Sequence, residues 1–142
     1  MRTLTAGIVI MLSSWSATAQ DYGNLDTEFR IVIGHSEDFP PGFTAEITTT
    51  NSYPCVGYEI RSGVSWHLDT LSISIGGFLR PSPCYESMTP ATGSLYMGDI
   101  GPGEYVLRIR YRGATDLHQL TVAEGYVAAS KLDASFTRIT SQ

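Results

Sequence analysis

The stretch that decides the fold is GPGEYVLRIRYRGATDLHQLTV, residues 101–122. Tyr105, Leu107, Ile109 and Tyr111 fall on one parity, separated by Val106, Arg108 and Arg110. Neighbouring side chains of a strand point to opposite faces, so this is an extended segment with one buried and one wet face. Helical spacing would put the apolar residues three and four apart, and they are not. Gly101-Pro102-Gly103 stops the chain before the run, and Gly113-Ala114-Thr115-Asp116 leads into a second alternating run through His118, Leu120 and Val122. The pair reads as a hairpin.

The same period extends outward. Phe29, Ile31 and Ile33 share a parity, as do Phe43, Ala45, Ile47 and Thr49, and Leu71, Ile73 and Ile75. Pro40-Pro41-Gly42, Asn51, Pro54, Gly63, Gly76-Gly77, Pro81, Pro83 and Pro90 mark the breaks. Tyr126 to Leu132 makes at most one or two helical turns, and residues 133–142 are either a last strand through Phe136 and Ile139 or a frayed tail. Short strands at this spacing predict an all-β domain, a single antiparallel sandwich of about seven or eight strands. With 142 residues there is room for one core of ordinary size.

The segment from Cys55 to Val122 resembles exported bacterial domains of the immunoglobulin-like or fibronectin-III-like type. Gly101-Pro102-Gly103-Glu104-Tyr105-Val106-Leu107-Arg108-Ile109 is similar to their penultimate strand, and Asp116 to Val122 to their closing strand. The resemblance implies an architecture and no activity, because these are turn and core positions.

The N-terminus predicts export. Arg2 precedes an apolar stretch, Leu4 to Leu12, and Ala17-Thr18-Ala19 forms an A-x-A cleavage pattern. The expected organisation is a signal peptide over 1–19, a polar lead-in over 20–27 and the β-domain over 28–142. The apolar stretch falls short of the about 20 residues that span a bilayer, and no later one is long enough. A secreted or periplasmic location follows. Cys55 and Cys84, the only cysteines, are then expected to form one disulfide, tying a strand start to the Pro-rich connection around Arg80–Cys84.

Several chemistries lack their parts. The formal charge of −5 gives no basic face for nucleic acid. Gly63-Val64-Ser65-Trp66-His67 lacks the second glycine of a nucleophile elbow. His35 with Glu37 and Asp38, and His67 with Asp69, are the densest ligand groupings, and neither has metal-site spacing. No helix follows a Gly-rich turn to receive phosphate, so no cofactor is expected. Trp66 reads as a core or rim anchor rather than a ligand platform.

What remains is surface. Arg108, Arg110 and Arg112 are expected on one strand face, about 7 Å apart. They form either a docking stripe for carboxylate or sulfate groups, or a ladder paired with acids such as Glu46 or Glu59. Tyr58, Tyr85 and Tyr96, with Tyr53, lie near the cysteine-linked connections and would suit a sugar or a protein if several share one rim. The expectation is a non-enzymatic binding module for another exported protein or a glycan. A small secreted hydrolase, or a structural domain that assembles with itself, are the alternatives.

Overall fold

A computed structural model describes residues 27–38 and 40–142. The expected signal peptide and the lead-in up to residue 26 lie outside the described residues. Among these residues the chain is all strand and turn. The elements are β1 (Phe29–Ser36), β2 (Gly42–Cys55), β3 (Glu59–His67), β4 (Thr70–Leu79), β5 (Glu86–Gly98), β6 (Gly103–Tyr111), β7 (Ala114–Ala123), β8 (Tyr126–Asp133) and β9 (Thr137–Ser141).

They follow one hydrogen-bonded order, β8-β7-β6-β4-β3-β5-β2-β1-β9, which wraps into a nearly closed, barrel-like sheet. Three of the sequence expectations are corrected here. The strands form one sheet that curls around its own core rather than the two facing sheets of a sandwich, because the parallel β4–β6 and β1–β9 ladders join the hairpins into one continuous order. There are nine strands among the described residues rather than seven or eight. The pairing is also not wholly antiparallel: β4 runs parallel to β6 over six residue pairs, and β1 parallel to β9 over five.

The alternation read from the sequence sets the core. Phe29, Ile31 and Ile33 on β1, Ala45 and Ile47 on β2, Leu71 and Ile73 on β4, Leu107 and Ile109 on β6, and Leu120 on β7 are all fully buried. One end of the barrel is filled by aromatic rings. Phe29 stacks on Phe78 and meets Tyr111 edge-on at 4.9 Å, and Phe136 closes against both Phe29 and Tyr111. Such offset and edge-on geometries suit the ring quadrupoles.

Three local departures have physical reasons. Pro90 was expected to break the chain but lies inside β5, opposite Ser52. β5 has β2 on one side, while on the other β3 pairs with it in register only at Glu59–Thr92, so the missing proline N–H interrupts little. Residues 126–133 form β8 rather than a helical turn. Its ladder to β7 runs from Ala123–Tyr126 to Leu117–Asp133 and supplies the hydrogen bonds that a short isolated helix would lack. Cys55 ends β2 rather than opening a strand, and the turn through Gly57 follows it.

β3 and β5 meet tightly. A Cβ added to Gly93 would lie 2.7 Å from the Ile60 carbonyl oxygen, so only glycine allows this approach. The neighbouring Thr92 N–H donates to the Tyr58 carbonyl at 3.0 Å. Beyond that point Trp66 bridges the two strands, its Nε1–H donating to the Met97 carbonyl at 3.4 Å.

Candidate functional site

Arg108 and Arg110 project from the outer face of β6, because Leu107, Ile109 and Tyr111 take the buried parity. Register places Ser72 and Leu117 on either side of Arg108, and Ser74 and Thr115 on either side of Arg110. The third member of the expected ladder is elsewhere. Arg112 lies past the end of β6 in the two-residue turn Arg112-Gly113, at φ +50° and +80°. Both angles are those of the tight hairpin turn whose twist matches its strands. The Arg112 guanidinium sits 5.9 Å from the centre of the Tyr111 ring, a cation–π contact.

The acids expected opposite this ladder do not reach it. Glu59 pairs with Arg61 at 3.5 Å, the one ion pair among the described residues. Glu46 sits on β2 between Val32 and Ser94, on the other side of the barrel.

The tyrosines do not share a rim. Tyr58 is half-buried against Tyr53, with ring centres 5.5 Å apart. Tyr85 is 70% exposed beside the disulfide. Tyr96 lies toward the opposite end of β5 from Tyr85, its hydroxyl donating to the Pro41 carbonyl at 2.8 Å. The bridge itself is formed: Cys55 and Cys84 are joined, with Cα atoms 5.2 Å apart. Exposed Val56, Tyr85 and Met88 gather around it, and Val56 N–H donates to the Tyr85 carbonyl. At the far end of the barrel His35, Glu37, Phe43, Asp99, Ile100 and Glu124 line part of an open cleft of about 530 Å³. No three metal-ligating side chains converge there or elsewhere among the described residues.

The most connected polar group was not foreseen. Asp116, read from the sequence as a turn residue, lies on β7 on the same parity as His118, Leu120 and Val122, and points inward. It is 1% exposed and His118 2%. Oδ1 accepts from the N–H and hydroxyl of Ser135 at 2.9 and 3.4 Å. Oδ2 accepts from the N–H groups of Phe136 and Thr137 at 2.9 and 2.8 Å, and from the Thr137 hydroxyl at 2.7 Å. Because the Thr137 proton goes to the carboxylate, His118 Nε2, 2.8 Å from that oxygen, must be the donor. The shared parity with a buried histidine was the only signal in the sequence.

Burial pushes the Asp116 carboxyl up, but the hydrogen bonds from Ser135, Thr137 and Phe136 outweigh it and hold it below the ordinary carboxylate value. For His118, burial pushes the imidazole down. The Asp116 charge opposes this and Lys131 adds to it, leaving the ring below its ordinary 6.5. With five donors already on its two oxygens, Asp116 functions as a clamp on the β8–β9 connection rather than as an acid or base toward a solvent-borne substrate.

A pH effect follows from His118. Its folded value is depressed, so the unfolded chain binds the proton first. The associated stability is fully present above about pH 6.5 and declines as pH falls below it. His118→Leu leaves the Thr137–Asp116 bond in place and removes this titration. The urea midpoint of the wild type should fall between pH 7 and pH 5, and that of the variant should stay nearly level. Equal slopes in the two proteins would contradict the assignment.

Family models, curated proteins and solved structures yield no match to this chain, so its functional assignment stands on the geometry of these surfaces.

Proposed function

We propose that the chain is an exported, non-enzymatic binding module, and that its ligand docks on the outer face of β4, β6 and β7. The observation that carries this reading is the pair Arg108 and Arg110, free of any carboxylate partner among the described residues and set between Ser72, Ser74 and Thr115. Guanidinium forks recognise carboxylate and sulfate oxygens in a bidentate manner, and flanking hydroxyls add donors and acceptors. A glycan or exported partner bearing such groups has the complementary chemistry. The disulfide is compatible with an oxidising, exported location, and no helix among the described residues is long and apolar enough to cross a membrane.

The hydrolase alternative has less support. His118 and Asp116 are buried and committed to one another's hydrogen-bond network, and His67 lies exposed at the end of β3. The resemblance of residues 55–122 to immunoglobulin-like export modules lends this reading no weight, because nothing in the nine-stranded, nearly closed sheet identifies that architecture. A second binding reading rests on Val56, Tyr85 and Met88, three exposed apolar side chains around the bridge that suit a protein partner.

The test is a glycan array together with a pull-down from the native envelope fraction, using wild type and Arg108→Gln/Arg110→Gln. Loss of two charge-assisted contacts should weaken binding by about tenfold or more. Unchanged capture by the double variant moves the site to the bridge patch, where Tyr85→Ser/Met88→Ser should then abolish it. Silence of the wild type in both assays overturns the proposal.

A further inference from the structure

A second arginine pair is visible only in the folded chain. The parallel β1–β9 ladder sets Arg138 directly beside Arg30, residues more than a hundred positions apart in sequence. Both are exposed and outward, because Phe29, Ile31 and Thr137 take the inward parity. Thr48 is the next residue across the sheet, on β2. Glu28 and Glu46 lie on the same outer parity, each two positions along its own strand line, and neither forms an ion pair with either arginine.

Like charges placed directly opposite on neighbouring strands work against the pairing of those strands. Here the opposed strand is β9, the last and shortest, held by its ladder to β1 and by the Asp116 clamp. Adjacent strands are about 4.8 Å apart, so two guanidinium forks at matched register can converge on a single tetrahedral oxyanion. The chain's basic side chains are arginine throughout except for Lys131, which favours fork-type recognition over point-charge contact.

We propose that Arg30 and Arg138 form a binding site for one phosphate- or sulfate-type oxyanion, and that its occupancy fastens β9 onto β1. The site requires both strands to be docked, so the anion binds the folded protein in preference to the unfolded one and raises its stability. It is independent of the Arg108–Arg110 face, which lies on the opposite side of the barrel.

The test measures the thermal midpoint of the purified protein in millimolar sulfate against chloride at equal ionic strength. Every protein compared carries Arg108→Gln/Arg110→Gln, so that the β6 face cannot answer to sulfate: this parent, and the parent with Arg138→Gln, Arg30→Gln or Arg61→Gln added, with dextran sulfate and plain dextran as further arms. The parent and its Arg61→Gln form, changed at an exposed arginine outside both faces, should show a saturable rise of about 3 °C or more. The Arg138→Gln and Arg30→Gln forms should start at a midpoint equal to or above that of the parent in chloride, and show no rise. A response to inorganic sulfate identifies a free oxyanion as sufficient; a response only to dextran sulfate identifies a chain-borne ester. The proposal is overturned by a rise of the same size in the Arg138→Gln form, which would be a general salt effect, or by no rise in the parent with either probe.

Discussion

Asp116→Ala should lower the unfolding free energy by about 3–5 kcal/mol, because a buried carboxylate that accepts several hydrogen bonds leaves its donors unsatisfied when removed. Single domains are stable by only about 5–15 kcal/mol, so this is a large share of the total. The donors left behind are the N–H groups of Ser135, Phe136 and Thr137, together with two hydroxyls, all in the segment that carries the chain from β8 to β9. Asp116→Asn keeps one carbonyl oxygen but turns an NH₂ toward the other donors, and should cost about 2 kcal/mol. The damage should be local first. Amide exchange of Thr137 to Ser141 should accelerate in Asp116→Ala before that of β6, since β9 pairs with β1 alone and is otherwise tied only by the His118–Thr137 bond and the packing of Ile139. Acid behaviour provides an independent check. The folded carboxyl is held below its unfolded value of about 3.8, so its stabilisation is complete above that pH and is lost as pH falls through the folded value. The variant lacks this acid limb. A urea midpoint for Asp116→Ala equal to that of wild type at pH 7 would show that the carboxylate is not a clamp.

How far the sequence reveals this molecule depends on what occupies the inward positions. On β1, β4 and β6 those positions hold Phe29, Ile31, Ile33, Leu71, Ile73, Leu107 and Ile109, and the period of two is plain. On β5 the inward residues include Ala91 and Gly93, because Ile60 presses against that strand and leaves no room for a larger side chain. Its larger inward residues, Leu95 and Met97, come only towards its end, so the first half of the strand gives a weak hydrophobic signal, and Pro90 within it argues for a break. β8 carries Ala128, Ala129 and Ser130 at its centre and has the same weakness. The candidate site follows the same rule. Arg108 and Arg110 could be placed on one face because they lie on one strand. Arg112 could not, since the exact position of a turn decides whether a residue ends a strand or leaves it. The Arg30–Arg138 pair and the Asp116 contacts join parts of the chain brought together by parallel pairing and by the β8–β9 connection, and no local pattern encodes either. Strand order is equally hidden: a hairpin is a local event, whereas the β4–β6 parallel ladder depends on where β5 goes in between.

Removing the bridge with Cys55→Ala/Cys84→Ala should cost about 3–4 kcal/mol, the chain-entropy value for closing a loop of this length. The two cysteines are 29 residues apart, and the closed loop contains the whole of the β3–β4 hairpin. In the folded state the junction has other supports. Val56 N–H donates to the Tyr85 carbonyl at 3.0 Å, and the Thr89 hydroxyl donates to the Cys55 carbonyl at 3.2 Å. The native structure should therefore survive the substitution, with the effect falling mainly on the unfolded chain, which gains freedom and exposes more surface. That origin distinguishes the bridge from the Asp116 clamp. The denaturant slope should rise in the cysteine variant, because slope follows the surface newly exposed on unfolding, and should not rise in Asp116→Ala. Reduction of the wild-type protein should reproduce the variant's midpoint and slope to within the small packing loss at buried Cys55. Binding at Arg108 and Arg110 should be unaffected wherever the variant remains folded, because neither arginine touches the bridge. A cysteine variant with an unchanged slope and a collapsed Tyr85 environment would show instead that the bridge acts by shaping the native surface around it.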